Sequence, residues 1–366
     1  MSKRYLGKKE LEYLVRGSSF FGGGGGGSAV EGMELLKKIP ADAKVEMIDV
    51  DDMEEGTVAT MVAALGSPVA TKGKLFEEEA KNAVLGMKTE AEKLGENLKY
   101  IYSGEQGGGN TMLPVYTAYV LGMPIIDTDG NGRAVPEMNT GLEPIYGIPT
   151  SPVILASKNG DTIVGTTADP MDSVACENIA RHMCQIYDQG IGFASWKMNK
   201  EQLKKASAIG QMSKTIEVGK LMAENDLPDF VRGMSKLLGD GEFECLANGT
   251  ITDIHMNTGG GFDSGFTTIK LDEKRSCRVL FENENLVAYD PEGKAAATVP
   301  SIISITKRDE NGKTIALSNS ETVVGMDVVL TVTKADPRWY AIPAGYDCWN
   351  EVLIGAGYVQ SGPQVK

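Results

Sequence analysis

The stretch YSGEQGGGNTMLPVYTAYVLGMPIIDTDGNGRAVPE, residues 102–137, sets Glu105, Asn110, Asp127, Asp129, Asn131, Arg133 and Glu137 around two glycine-rich turns. Just before it, Lys99 to Ser103 (KYIYS) has the aromatic and β-branched content of a short strand. Met112, Leu113, Tyr116, Val120 and Leu121 recur near helical spacing, which predicts a helix over residues 111–121. Asn110 suits its N-cap, Pro114 falls in the tolerated first turn, and Gly122 stands just past its end. Met123 to Ile126 then reads as a second strand running into DTDGNGR. In such a strand, loop, helix, strand unit each polar loop follows a strand. If the strands are parallel neighbours, both loops open at the carboxyl edge of the sheet, where α/β proteins hold ligands. Glu105 and Asp127 would then face one cleft.

Working outward, 366 residues suffice for two domains, and 42% hydrophobic content supports a sizeable core. A formal net charge of -14 argues against a nucleic-acid partner, which calls for a basic face. No stretch approaches the roughly 18 consecutive apolar residues of a membrane span, and the N-terminus lacks the apolar segment of a signal peptide. A cytoplasmic protein without a membrane partner is expected. The five cysteines are spread out with no C-x-x-C pair, which argues against a disulfide framework and a zinc ribbon. With only His182 and His255 present, any metal site must lean on carboxylates.

Upstream, Leu11, Leu14 and Val15 predict a helix that Gly17 ends. The run Gly22 to Gly27 then leads into Ser28, and S-A-V-E over residues 28–31 is a capping box opening a second helix. Glycines feeding a helix N-terminus offer backbone N–H groups to an anion. Gly24, Gly25, Gly26 and Ser28, with Gly108 from the later turn, are therefore candidate substrate-binding residues. Neither a dinucleotide fingerprint nor a P-loop fits, since no strand precedes the run and no lysine precedes Ser28; a flexible linker is the plain alternative. Residues 44–50 read as a strand, 57–65 as a short apolar helix, Gly66-Ser67-Pro68 as a turn and 73–94 as a longer helix.

The segment from Asp127 matches the opening of a calcium-binding EF-hand loop, but Met138 occupies the twelfth position and a strand precedes it, so the EF-hand is rejected. The carboxylate-rich turn could still hold a divalent metal ion in another geometry, and Arg133 could clamp a planar group bidentately. An Asx turn that merely caps backbone is the bland alternative. Further on, residues 153–156 and 161–165 form a hairpin signal, 172–187 an amphipathic helix, 191–198 a strand, and 199–209 and 213–238 helices. From Gly239 the texture changes to short β-rich runs separated by Gly, Asn and Asp turns. The expected architecture is an α/β domain over residues 1–239 with a mostly parallel or mixed sheet, plus a smaller, mainly β domain over 240–366. The latter carries a glycine loop at 259–265 and FENENL at 281–286.

Taken together, the glycine run, GEQGGGN (104–110), PIIDTDGNGRAVPE (124–137), GGGFDSG (259–265) and FENENL resemble the S-methyl thiohydantoin desulfurase family, over nearly the whole chain. That resemblance implies attack of water on a five-membered ring, replacing sulfur at a ring carbon with oxygen. Its partner would be a small cyclic amide or thioamide, and the family's association with hydantoinase/oxoprolinase-type proteins suggests a second partner. A homo-oligomer is the expected state. Such hydrolysis needs a base for water, a stabiliser of negative charge and an acid at the leaving group. The expected catalytic set is Glu105, Asp127, Asp129 and Glu137: Asp127 or Asp129 activates water, directly or through a metal, and Glu105 shuttles a proton. Arg133, Asn110 and the glycine N–H groups hold the ring. A non-catalytic subunit of a hydantoinase/oxoprolinase-type enzyme and a nucleotide- or phosphate-binding protein are the alternative readings.

Overall fold

Residues 97–103 and 125–129 are parallel neighbours in one sheet, pairing Ile101 with Ile125 and Ser103 with Asp129. The computed structural model describes residues 4–66, 73–259 and 262–358. Its first half runs β1 (Arg4–Leu6), α1 (Lys8–Phe21), α2 (Ala29–Lys37), β2 (Val45–Ile48), β3 (Thr57–Gly66), α3 (Glu77–Lys93), β4 (Asn97–Ser103), α4 (Gly108–Leu121) and β5 (Ile125–Asp129). It continues as α5 (Leu142–Ile145), β6 (Val153–Ala156), β7 (Thr162–Gly165), α6 (Ser173–Ile186), β8 (Gly190–Met198), α7 (Lys200–Ala206), β9 (Ala208–Ile209), α8 (Gln211–Glu224) and α9 (Leu227–Leu238). These strands form a mixed sheet in the order β1-β2-β5-β4-β3-β8-β6-β7, with β9 beside β5.

The pairs β2–β5, β5–β4 and β4–β3 are parallel, and β8 pairs β3 antiparallel. One face carries Leu11, Leu14, Leu35, Met112, Val115 and Ile216 from α1, α2, α4 and α8. The other carries Cys176, Ala180, Cys184, Leu203 and Ala206 from α6 and α7. Both cysteines of α6 therefore face core.

The mainly β half comprises β10 (Phe243–Gly259), β11 (Phe262–Lys270), β12 (Ser276–Glu282), β13 (Glu284–Tyr289), β14 (Ala295–Thr298), β15 (Ile302–Arg308), β16 (Thr314–Ala316) and β17 (Asp327–Thr333). They form one antiparallel sheet, in the order β14-β13-β12-β11-β10-β17-β15-β16. Short helices α10 (Arg338–Ala341), α11 (Ala344–Asp347) and α12 (Asn350–Gly355) close it. Between the two sheets, Phe20 and Phe21 of α1 pack with Phe230, Phe243, Ile302 and Val329. Full burial of side chains this size stabilises by about 1.5–3 kcal/mol each, so the contact binds the halves firmly.

Several expectations change. Residues 57–65 form strand β3 rather than a helix. Lying between β4 and β8, β3 buries Ala59, Thr60, Met61 and Val62 in succession, and a run apolar on both faces carries no period to separate strand from helix. The helix predicted over 213–238 is two, divided where Asp226 caps α9 through the Asp229 N–H. Helix α4 begins at Gly108, with Gly107 in the N-cap position, so Asn110 lies inside its first turn. Ser67, Pro68, Gly260 and Gly261 lie outside the described residues.

Gly17 does not end α1. A Cβ there would fall 1.9 Å from the Thr215 carbonyl oxygen, and one at Gly219 would fall 1.7 Å from that of Tyr13. The two glycines let α1 and α8 cross backbone to backbone. Gly17→Ala is expected to destabilise the fold by about 3 kcal/mol, since added volume there meets a main chain that cannot yield. Gly259→Ala, whose Cβ meets nothing within 4 Å, should stay within about 0.5 kcal/mol by urea denaturation.

Candidate functional site

Because β4 and β5 are parallel, the loops after Ser103 and Asp129 lie side by side at the carboxyl edge. The Gly130 N–H donates to the Ser103 carbonyl (2.7 Å) and the Gln106 N–H to that of Arg133 (3.3 Å). Glu105 sits between them, partly exposed. Its Oε1 accepts from Asn110 Nδ2 at 2.5 Å and its Oε2 from the Val135 N–H at 2.9 Å. Burial pushes its carboxyl up to about 7; the two donors and Arg133 oppose that shift, while Asp129 adds to it.

Asp129 is fully buried and held by the protein itself. Its Oδ1 accepts from the Asn131 and Gly132 N–H groups at 3.1 and 2.6 Å, and its Oδ2 from Gln106 Nε2 at 2.8 Å. Gln106 in turn accepts from Thr215 of α8 at 2.7 Å. Burial raises Asp129 to about 6 against the opposing bonds from Ser103, Gln106 and the two N–H groups. The turn that imitates an EF-hand is thus an Asx turn, and Asp129 positions the Glu105 loop through Gln106.

Asp127 is not brought into this group. Both of its oxygens are taken by Ser213, at 2.9 Å from the N–H and 2.5 Å from the hydroxyl, so it caps the first turn of α8. The expected common cleft with Glu105 is corrected accordingly: the hydrogen bonds of Asp127 go to the start of α8, whose free N–H groups need a cap, and not to the Glu105 loop. Glu137 belongs to a different group. Burial raises its carboxyl, and Glu177 and Glu282 add to the shift while Arg181 opposes it. Arg181 pairs with Glu177 and stacks on Phe262 of β11, 4.3 Å from the ring centroid.

Arg133 is buried and joins the two halves. Its Nε donates to the Ala134 carbonyl, its Nη1 to the carbonyls of Pro300 (2.5 Å) and Ser301 (3.0 Å), and its guanidinium lies 4.5 Å from the Trp349 ring centroid. Burial lowers it to about 10, which leaves it a cation at neutral pH. Only Nη2 lacks a partner among the described residues, so a bidentate substrate clamp, which needs two parallel N–H groups, is not available.

The glycine run lies in the seam between the halves. Gly23 and Gly24 carbonyls accept from the Asn285 and Asn319 N–H groups, both at 2.8 Å, while those of Gly26 and Gly27 accept from Asn110 (3.0 Å) and Gly108 (3.2 Å). A Cβ on Gly25 would fall 1.9 Å from Glu284 Oε1, and one on Gly26 2.2 Å from the Gln106 carbonyl oxygen. Gly24, Gly25, Gly26 and Gly108 therefore serve close backbone packing, and Ser28 caps α2 through the Glu31 N–H. The Gly26 and Gly27 N–H groups, in the partly exposed end of the run next to Gln106, Gly107 and Gly109, make no hydrogen bond within the described residues.

Two further carboxylates were not singled out by the sequence reading. Glu143 is buried, with Oε1 3.5 Å from the Tyr102 hydroxyl and Oε2 without a partner among the described residues. Burial raises it to about 8, with Asp129 and Glu105 contributing. Glu284, in FENENL, is buried against Gly25; burial and Glu105 push it well above the usual carboxylate range, and Arg133 opposes. Among the described residues no three His, Cys, Asp or Glu side chains converge as a metal ion would need, so the donor set does not fit the divalent ion considered from the sequence. No helix among these residues is long and apolar enough to cross a membrane.

Folding moves the pKa values of these carboxyls upward, so the folded state binds more protons than the unfolded one between pH ~4 and 8. Stability is then full below the unfolded pKa and is lost as pH rises through about 6, 7 and 8. Urea denaturation is expected to give a lower unfolding free energy at pH 8.5 than at pH 5.5. Glu143→Gln should remove about 1–3 kcal/mol of that difference.

Residues 9–167 match the profile described as "S-Me-THD-like, N-terminal domain", and residues 171–358 that of "S-Me-THD-like, C-terminal domain". The boundary between those profiles precedes β8, whereas the first sheet continues through β9. A crystal structure of a protein from Chromobacterium violaceum superposes with a TM-score of 0.85 at 24% identity, covering 99% of this chain and 100% of that one. It shares the fold. No curated protein matches the chain.

Proposed function

Because the chain belongs to the S-methyl thiohydantoin desulfurase-like family, we propose that it is a hydrolase replacing the S-methyl group of a five-membered thiohydantoin ring with oxygen. Water adds to the ring carbon bearing sulfur, and the adjacent ring nitrogen receives one proton. The C–S bond then breaks, the carbon keeps the oxygen as a carbonyl, and methanethiol leaves with the second proton. Glu105 is the base that takes a proton from water. One observation carries this assignment: Glu105 is the partly exposed carboxylate at the carboxyl end of β4, oriented at both oxygens by N–H donors, with its carboxyl raised to about 7. A base whose pKa lies near the working pH combines ionisation with proton affinity.

The Gly26 and Gly27 N–H groups are suited to the negative charge that develops when water adds, as fixed backbone donors are in acyl transfer. Asp129, enclosed by its own loop, acts as a positioning residue. Glu284, whose carboxyl burial and Glu105 push well above the usual carboxylate range, is the proton donor that pairs with Glu105 as acceptor, the arrangement in which one carboxyl gives a proton and another takes it.

General base catalysis typically contributes about 10²–10⁴-fold, so Glu105→Gln should lower kcat/KM on an S-methyl thiohydantoin by about that factor with unchanged circular dichroism. In the parent the rate should rise with pH through about 7 as Glu105 ionises. An undiminished rate in Glu105→Gln would overturn the assignment. One observation favours a second reading, a non-catalytic partner of a hydantoinase/oxoprolinase-type enzyme: the carboxylates beside Glu105 are packed closed, Asp129, Glu143 and Glu284 all being buried. That reading requires no turnover by the chain alone and co-purification with such an enzyme.

A further inference from the structure

Strand β10 is 17 residues long, but β17 accompanies only its first half, from Phe243 to Thr250. Just beyond, the Gly325 N–H donates to the Ile251 carbonyl and the Ile251 N–H to that of Met326, and a bulge follows between Ile251 and Asp253. From Asp253 to Gly259 the strand is paired with β11 alone. Alternate residues of an antiparallel strand turn their N–H and C=O groups away from the neighbour they already have. On that second side of β10, no strand among the described residues receives them.

The other open edges are guarded by being short. The strands that end the two sheets, β1, β7, β14 and β16, have three, four, four and three residues. Residues 253–259 (DIHMNTG) form a longer edge and contain neither proline nor lysine, the residues that ordinarily stop such an edge from pairing. Apart from half-buried Ile254, all of them are exposed.

Charge and apolar surface identify what covers this edge. Asp253 is the one acidic residue of the segment, which has no lysine or arginine. When the segment pairs antiparallel with itself about its midpoint, Met256, Asp253 stands opposite Gly259, and no like charges meet. Two copies of a chain with a formal net charge of -14 repel over much of their surface, so a strand this sparsely charged is where they approach at least cost. The same pairing sets exposed Met256 against its counterpart. Val323 and Val324, both exposed, precede Gly325 at the root of the edge, where the hairpin end of the other copy arrives.

We infer that residues 253–259 of β10 are the docking edge for a second copy of this chain, which adds its own β10 antiparallel across a two-fold axis at Met256 and joins the two β sheets into one. A two-fold pairing uses both free edges at once and stops there, so it closes as a dimer. The hairpin of β10 and β11 is also tied to the strand that carries Glu284. The Asn283 N–H donates to the Asp263 carbonyl at 2.7 Å, and the Asp263 N–H donates to Asn283 Oδ1 at 3.0 Å. The second copy therefore braces the residue next to Glu284.

Sedimentation velocity of the full chain over a range of concentrations tests the inference. The parent should run as a dimer that dissociates on dilution. Met256→Lys, which sets two ammonium groups opposite each other at the axis, should weaken dimerisation about tenfold or more with unchanged circular dichroism, and Val324→Glu by a smaller factor. A cross-link serves if the lysine variant misfolds. Residues directly opposite in an antiparallel pair bring their Cβ atoms within about 5.5 Å, so Met256→Cys should give a disulfide-linked dimer under mild oxidation. The parent, with its five cysteines, and Val164→Cys, on the β7 edge, should not. A monomeric parent, equal dimer affinity in folded Met256→Lys, or no more cross-linked dimer in Met256→Cys than in the parent or Val164→Cys would each overturn it.

Discussion

The structure depends on a strand of backbone that leaves no room for side chains. From Gly22 to Gly27 the chain passes between two sheets, giving the carbonyls of Gly23 and Gly24 to the β half and those of Gly26 and Gly27 to the α4 loop. Gly23, Gly24, Gly26 and Gly27 also have positive φ, between 55° and 96°, which L side chains rarely adopt. Glycine is thus required twice over, by conformation and by the approach of Glu284 and Gln106 to within bonding distance of any added Cβ. Six glycines cost considerable conformational entropy to order, and the four carbonyl bonds and surrounding burial offset it.

That close approach also sets the electrostatics. Bringing the halves together buries Glu284 and Arg133 beside Glu105, and Asp129, at the end of the neighbouring strand, holds the Glu105 loop through Gln106. The carboxyls differ by surroundings rather than by type. Asp129 is the most fully hydrogen-bonded and rises least, Glu143 receives little and rises further, and Glu105 lies between them with an opening to solvent. A single residue type thereby acquires different protonation states at one pH.

How much of this was legible in the sequence follows from the range of the forces involved. The unit from Lys99 to Asp129 could be read because strand content, helical spacing and the terminal Gly122 are local, and the parallel pairing placed Glu105 at the sheet edge as expected. Residues 57–65 could not, because burial on both faces of β3 erases the alternation that marks a strand. The roles of Asp127 and Asp129 were not separable either: which one is consumed as a cap depends on Ser213, 86 residues away. Glu143 and Glu284 carried no local signal, since a lone glutamate beside a proline or in an Asn-rich run ordinarily faces solvent. Gly17 was read as a stop because a helical glycine shows its packing role only when the crossing helix is known.

Arg133 gives the assembly an order in time. Its guanidinium is received by carbonyls 167 and 168 residues further along the chain. A chain leaving the ribosome therefore presents Arg133, Glu105 and the glycine run long before Pro300 and Ser301 exist. Until then the guanidinium stays hydrated and the glycine run has only its α4-side partners. The α/β half can collapse first on its own core, but the surroundings that tune Glu105 close only after β15 is made.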